Sequence, residues 1–197
     1  MTAAALLLPD RAYASTDGGR KKVAVVLSGG GAKGMAHIGA LRVIEKAGIP
    51  IDIITGTSMG SIVGGLYAIG YDAHRLDSMV RVQDWSFLLT DKLEAHSPLL
   101  DNRERQNTYF LTKTFTLSKN KITNKQGGMI EGRNLDKLFN RLTAGYRDSI
   151  DFNSLPIPFA CVATNIVDNS EYVMHSGVLS EAMRSSMAIP GVFSPVR

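Results

Sequence analysis

Apolar and polar positions along the chain follow two rhythms. Lys22-Val23-Ala24-Val25-Val26-Leu27 is nearly continuous apolar sequence, the pattern of a parallel strand covered on both faces. From Met35 to Ala47 the period lengthens through Ile38, Leu41, Val43 and Ile44, which predicts a helix. Gly48 is its natural C-terminal cap, with Pro50 just beyond. Ile51 to Thr55 reads as a second strand, and Ser58 to Ile69 as an apolar helix closed by Gly70. Strand, glycine loop, helix, strand, glycine turn, helix is the order of a right-handed βαβ unit in a parallel sheet.

Farther along, Asp72 to Val82 predicts an amphipathic helix capped by Asp72, followed by the apolar cluster Trp85, Phe87, Leu88 and Leu89. That cluster suits the core better than a flap over a substrate. Residues 91 to 107 carry no clear pattern. Phe110 to Thr116 and Lys121 to Lys125 alternate around Ser118-Lys119-Asn120 as a β-hairpin with solvated lysines. Leu135 to Leu142 predicts a helix with Asn134 as its N-cap. Phe159 to Thr164 and Glu171 to His175 read as strands, and Val178 to Ser186 as a helix before Met187-Ala188-Ile189-Pro190-Gly191. Val192 to Val196 is an apolar run entering another element. The fold class that results is α/β, a three-layer α/β/α arrangement around a mainly parallel central sheet.

Composition alters this picture little. With 44% hydrophobic and 20% charged residues in 197, the chain suits one globular domain rather than a disordered segment. A net charge of +4 is mild, and no basic stripe with interleaved aromatics points to nucleic acid. The single cysteine, Cys161, lies in Phe159-Ala160-Cys161-Val162-Ala163 and reads as a buried structural thiol. One cysteine excludes an intramolecular disulfide and a multi-cysteine metal site. Near the start, Leu6-Leu7-Leu8 and Ala12-Tyr13-Ala14 resemble the tail of a secretory signal peptide, and Ser15 to Gly19 a linker. No apolar run approaches the ~20 residues needed to span a bilayer.

The chemistry concentrates in the two glycine turns. Gly56-Thr57-Ser58-Met59-Gly60 is a Gly-x-Ser-x-Gly turn between a strand and a helix, where a sharp bend exposes the serine hydroxyl. Ser58 is the candidate nucleophile, and Gly56, Thr57, Met59 and Gly60 form its elbow. Gly29-Gly30-Gly31-Ala32-Lys33-Gly34 also fits Gly-x-Gly-x-x-Gly, which admits a dinucleotide-binding reading. That reading wants an acid at the carboxyl end of the second strand, whereas Asp52 sits at its beginning and Gly56-Thr57-Ser58 occupies its end. A Walker loop fails as well, because Gly34 follows Lys33. Two adjacent parallel strands ending in glycine turns at one sheet edge would instead aim backbone N–H groups at Ser58. The oxyanion candidates are Gly29, Gly30 and Gly31, with Lys33 and Gly34 supporting the loop. His96 and His175 follow Ser58 but lack acidic partners, and both read as structural.

Gly29 to Gly34, Gly56 to Gly60 and Ser185-Ser186-Met187-Ala188-Ile189-Pro190 resemble the first three sequence blocks of the patatin-like phospholipases. The resemblance runs over roughly residues 21–197 and is strongest toward bacterial members with a secreted patatin domain, some joined to an outer-membrane barrel. It implies hydrolysis of acyl-ester lipids by a Ser–Asp dyad without metal or cofactor, at a membrane surface bound peripherally. It also implies a secreted or outer-membrane-associated protein, the alternative being cytoplasmic. The family's aspartate lies in an Asp-Gly-Gly or Asp-Gly-Ala turn after the Ser-x-x-x-Pro block. The only Asp-Gly here is Asp17-Gly18-Gly19, and Asp168 is an acid in a turn with nothing else to recommend it. The expectation is therefore a patatin-like domain over residues 21–197 whose final strand and base lie beyond Arg197, preceded by a leader and linker over residues 1–20. A catalytically inactive module that binds lipid or a partner is the alternative.

Overall fold

The computed structural model describes residues 19–91, 116–118, 121–123 and 128–196. The leader, His96, the stretch from 92 to 107 and most of the first hairpin arm lie outside the described residues. The central sheet has the order β1-β2-β7-β8, from β1 (Ala24–Leu27), β2 (Ile53–Thr57), β7 (Phe159–Thr164) and β8 (Glu171–Met174). The first three strands run parallel and β8 runs antiparallel. Three small pairs accompany it. A hairpin joins β3 (Thr116–Ser118) to β4 (Lys121–Thr123), and β5 (Gly128–Ile130) runs parallel to β10 (Gly191–Phe193). The third pair is β6 (Ile150–Asp151) with β9 (Ser176–Gly177), antiparallel.

The helices are α1 (Ala36–Lys46), α2 (Met59–Ala68), α3 (Ala73–Val82), the short α4 (Trp85–Leu88), α5 (Arg133–Leu142) and α6 (Leu179–Ser186). Leu27, Ile54, Phe159 and Cys161 are buried together with Val63, Leu66 and Met183 from α2 and α6. Side chains alternate across a sheet, so Val26 and Ile53 point the other way. Val26 is 76% exposed. The expectation that the first strand is covered on both faces is therefore corrected: among the described residues only one face of β1 is packed.

Three further corrections concern element ends. The second strand begins at Ile53 and runs on through Gly56 and Thr57, which pair with Cys161 and Val162 of β7. Glycine would ordinarily weaken a strand interior, but here the ladder on both sides holds it. The helix after it starts at Met59, leaving Ser58 as the cap residue outside. Asn134 does not cap α5, because Gly132 takes that position with φ 83°. The orphan N–H groups there go to Asp91, whose carboxylate accepts from the backbone of Glu131, Gly132 and Arg133. Asn134 instead donates to the carbonyls of Phe87 and Thr90, at the other end of the same contact. Asp72 does cap α3, accepting from the Arg75 N–H at 2.7 Å. Gly48, at φ 64°, closes α1 as its position suggested.

Candidate active site

Parallel pairing of β1 with β2 brings both glycine turns to the carboxyl edge of the sheet, Leu27 opposite Gly56. Ser58 follows directly. Its φ of 53° and ψ of −118° make it, with Asn169, one of the described non-glycine residues at positive φ. Such backbone costs on the order of 1–3 kcal/mol and persists only where the surroundings hold it. Close packing of α2 on the strands does so. A Cβ on Gly60 would fall 2.1 Å from the Leu27 carbonyl oxygen, and one on Gly56 would fall 2.3 Å from the Gly60 oxygen. The Ser58 carbonyl accepts the Ser61 N–H at 2.9 Å and the Ser61 hydroxyl at 2.7 Å. Ser58 thus stands at the N-terminus of α2, where the helix carries roughly half a unit of positive charge.

The glycine loop lies beside it. A Cβ on Gly29 would sit 3.4 Å from the Ser58 Cβ, and one on Gly34 would meet the Met59 side chain at 2.6 Å. Gly29, Gly30, Gly31 and Lys33 are exposed, with Gly31 at φ 53°. From Gly31 to Met35 the chain forms a 3₁₀ turn that runs into α1. His37 on that helix places Nε2 2.8 Å from the Ser28 carbonyl, fastening the start of the loop. Sequence reading passed over His37, whose role depends on a helix folding back on the strand end. Nothing in the pattern around it marks that contact.

An apolar cavity of about 370 Å³ opens from this corner. Gly31, Ala32, Ser58 and Met59 stand on its wall, and Ile62, Leu76, Met79, Leu135, Phe139 and Ile189 continue it between α2, α3 and α5. The size lies within the ~300–1,000 Å³ of small-molecule sites. Of the Trp85 cluster, Leu88 is buried in the core, while Trp85 and Leu89 reach the cavity wall. A second cavity, of about 430 Å³, is lined by Glu131, Arg133, Asp136, Glu181 and Arg184 among others. Its charged lining, which includes neither Ser58 nor the glycine loop, makes it unsuited to an apolar chain. Arg184 is buried there: its Nη2 donates to the Glu131 carbonyl, its Nε faces Asp136 at 3.2 Å, and its guanidinium lies 5.2 Å from the Phe193 ring. Burial pulls that guanidinium below its ordinary pKa. The contacts tie β10 to β5, and Phe193 of β10 reaches the apolar cavity.

The other weighed residues stand apart from this corner. Asp52 accepts from Arg20 at 2.7 Å and from the Val23 N–H at 2.7 Å, clamping the amino ends of β1 and β2 rather than reaching a ligand. The Asp168 carboxylate accepts the Ser170 N–H and hydroxyl within its own turn. His175 is exposed, and its carbonyl accepts from the Phe152 N–H. Cys161 is fully buried, and burial pushes its thiol up to about 12. Among the described residues no group of three or more His, Cys, Asp or Glu could hold a metal ion.

Comparison with known proteins gives the family. The chain matches the family described as "Patatin-like phospholipase" over residues 25–197. It is 33% identical over 174 residues to patatin-like phospholipase domain-containing protein 6 of Mus musculus, covering 88% of this chain and 11% of that protein. It is 30% identical over 181 residues to lysophospholipase NTE1 of Debaryomyces hansenii, covering 89% of this chain and 10% of the relative. The chain thus spans about a tenth of the length of these relatives. Among solved structures, the heterodimeric complex ExoU–SpcU from the type III secretion system of Pseudomonas aeruginosa aligns at TM-score 0.49 and 21% identity. That alignment covers 87% of this chain and 37% of the other. With its mostly parallel α/β sheet and two glycine turns at one edge, the chain belongs to the patatin-like phospholipase family, a family of lipid ester hydrolases.

Proposed function

We propose that this chain carries the catalytic serine of a lipid acyl hydrolase of the phospholipase or lysophospholipase type. Ser58 Oγ attacks the ester carbonyl, and the backbone N–H groups of Gly29, Gly30 and Gly31 receive the oxyanion that forms. Lys33 and Gly34 shape that loop. The observation that carries the reading is the position of Ser58, strained at φ 53° between the glycine loop and the apolar cavity. The cavity accepts the acyl chain and leaves the polar remainder of the lipid at the exposed loop. A serine needs a base, and the family resemblance supplies one as the aspartate of a Ser–Asp dyad, in an Asp-Gly-Gly or Asp-Gly-Ala turn. The substrate is met at a membrane surface, the protein being peripheral and either secreted or associated with a bacterial outer membrane, with fusion to a barrel as one full-length form.

The test uses the full-length protein. A fluorophosphonate probe should label Ser58, and Ser58→Ala should abolish both labelling and hydrolysis of p-nitrophenyl acyl esters. Exchanging the dyad aspartate for asparagine should leave only the residual rate from oxyanion donors and binding. Labelling that persists in Ser58→Ala would overturn the assignment. A wild-type protein that binds acyl lipid but never takes the probe would establish the inactive lipid-binding alternative.

A further inference from the structure

The Ser-x-x-x-Pro block has no part in the chemistry described so far, yet its serine reaches the nucleophile's backbone. Ser186 ends α6, and its Oγ lies 2.6 Å from the Val162 carbonyl oxygen and 2.8 Å from the Ser58 backbone nitrogen. A hydroxyl has one proton, and a carbonyl can only accept. The proton therefore goes to Val162, and a lone pair of the same oxygen receives the Ser58 N–H. No other orientation satisfies both neighbours. The neighbouring Ser185 makes no such contact, since its hydroxyl returns to the Glu181 carbonyl of its own helix at 2.8 Å.

From this arrangement we infer that Ser186 is a positioning residue for the nucleophile, holding the strained elbow in its reactive backbone conformation. The inference rests on Ser58 being the nucleophile. Ser58 is then secured on both sides of its Cα: the carbonyl by Ser61, and the N–H by Ser186. The residue before it, Thr57, is paired in the sheet with Val162, whose carbonyl Ser186 also holds. The hydroxyl thus ties strand and elbow together across 128 residues of sequence. It also occupies the Ser58 N–H, which leaves the glycine loop to supply the oxyanion donors. Removing the hydroxyl leaves the Ser58 N–H and the Val162 carbonyl without a shared partner, and the elbow can relax from φ 53° toward ordinary backbone. The serine side chain would then swing away from the loop, and a displacement of about 1 Å costs on the order of 10²-fold in rate.

The experiment compares wild type, Ser186→Ala, Ser186→Thr and Ser185→Ala in the full-length protein. Its readouts are fluorophosphonate labelling rate, kcat and KM on a p-nitrophenyl ester, and Tm. Ser186→Ala should lower the labelling rate and kcat by about 10- to 100-fold. KM should stay within about twofold, since the cavity is untouched. Ser186→Thr, which keeps the hydroxyl, should recover most of the rate, and Ser185→Ala should label like wild type. Hydrogen exchange at the Ser58 amide supplies a second readout: protected in wild type and Ser186→Thr, faster in Ser186→Ala. If Ser186→Ala does not fold, Ser186→Cys replaces it; its thiol is a much weaker donor and acceptor, so slowing and loss of amide protection should follow in the same direction but to a smaller extent. A Ser186 variant without the hydroxyl that is folded and labels at the wild-type rate would overturn the inference while leaving Ser58 as nucleophile. Labelling that survives Ser58→Ala would overturn the underlying assignment instead.

Discussion

The two glycine turns at the sheet edge use the same residue for opposite reasons. After β2, glycine is required by crowding: a Cβ on Gly60 would stand 2.1 Å from the Leu27 oxygen and 2.7 Å from the Ser28 oxygen, both backbone atoms that cannot step aside. After β1, Gly34 is crowded by Met59 as well, but Gly31 is required by conformation in open space. Gly31 sits at φ 53° with nothing within 4 Å of an added Cβ. One turn is a buried joint on which a helix is packed, and the other is an exposed loop that leaves its backbone free to face a ligand. The glycines of the elbow therefore belong to the stability of the fold, and Gly31 of the loop to its proposed chemistry. Substitutions in the two turns should separate these properties.

The largest effect is expected at the joint. Gly60→Ala forces α2 off the strands, and overpacking of this kind costs about 1–3 kcal/mol or more. Against a domain stability of about 5–15 kcal/mol, that should lower Tm by on the order of 10 °C or prevent folding. Circular dichroism melts measure it directly. Gly31→Ala should act the other way round. Left-handed backbone without glycine costs roughly 1 kcal/mol, so Tm should fall only a few degrees. Ester hydrolysis per folded molecule should nevertheless drop by about 10²-fold as the donors turn away from the oxyanion. A Gly31→Ala protein with full activity, or a Gly60→Ala protein with normal stability, would break the distinction.

How legible this was in the sequence depended on how local each cause is. Strand and helix identities followed from apolar rhythm, and Gly48, Gly70 and Asp72 marked helix ends because their effects are confined to a single turn of chain. Both glycine turns were visible for the same reason. What escaped notice is held across distance. Asp91 caps a helix that begins about forty residues later, displacing Asn134 from the role its local pattern suggested. Ser186 reaches Ser58, and His37 reaches Ser28, only once the sheet exists. By local pattern the second strand ends before its glycine, because no local signal shows that β1 and β7 pair with Gly56 from either side. The apolar run of β1 suggested burial on both faces, yet apolarity alone does not say what covers a face. Of the expected site, the loop and elbow were in plain view; the bonds that hold them were not.

Cys161 offers a smaller but sharper measure of the joint. It pairs with Gly56 in the sheet and lies fully buried beneath α2. Burial raises its thiol to about 12, so thiolate is scarce in the folded protein at neutral pH. Dithionitrobenzoate should react with it only as the protein opens. Gly60→Ala should speed that reaction far more than Gly31→Ala does. The linkage has a definite sign. The thiol favours the folded state below its ordinary value near 9.0, and that contribution is lost as pH rises from there through about 12. Equal reactivity in the two glycine variants would show that the loop and the joint open together.

The smallest effect is expected at the opposite end of the same strands. Asp52 is held down to about 2 by the Arg20 guanidinium first and the Val23 N–H second. A carboxylate depressed in this way stabilises the fold above its ordinary value of 3.8, and the contribution disappears as pH falls toward about 2. The pair is at the surface and within reach of salt, so its share is small. Asp52→Asn should lower Tm slightly at neutral pH, less at high salt, and not at all near pH 2. Its amino-end clamp sets the start of β1 and β2, whereas both glycine turns are fixed at the carboxyl end by contacts of their own. Fluorophosphonate labelling of Ser58 should therefore be unchanged in Asp52→Asn. A loss of labelling comparable to that of Gly31→Ala would show that strand alignment at one end of the sheet governs the loop at the other, and the loop's independence from the fold would fail.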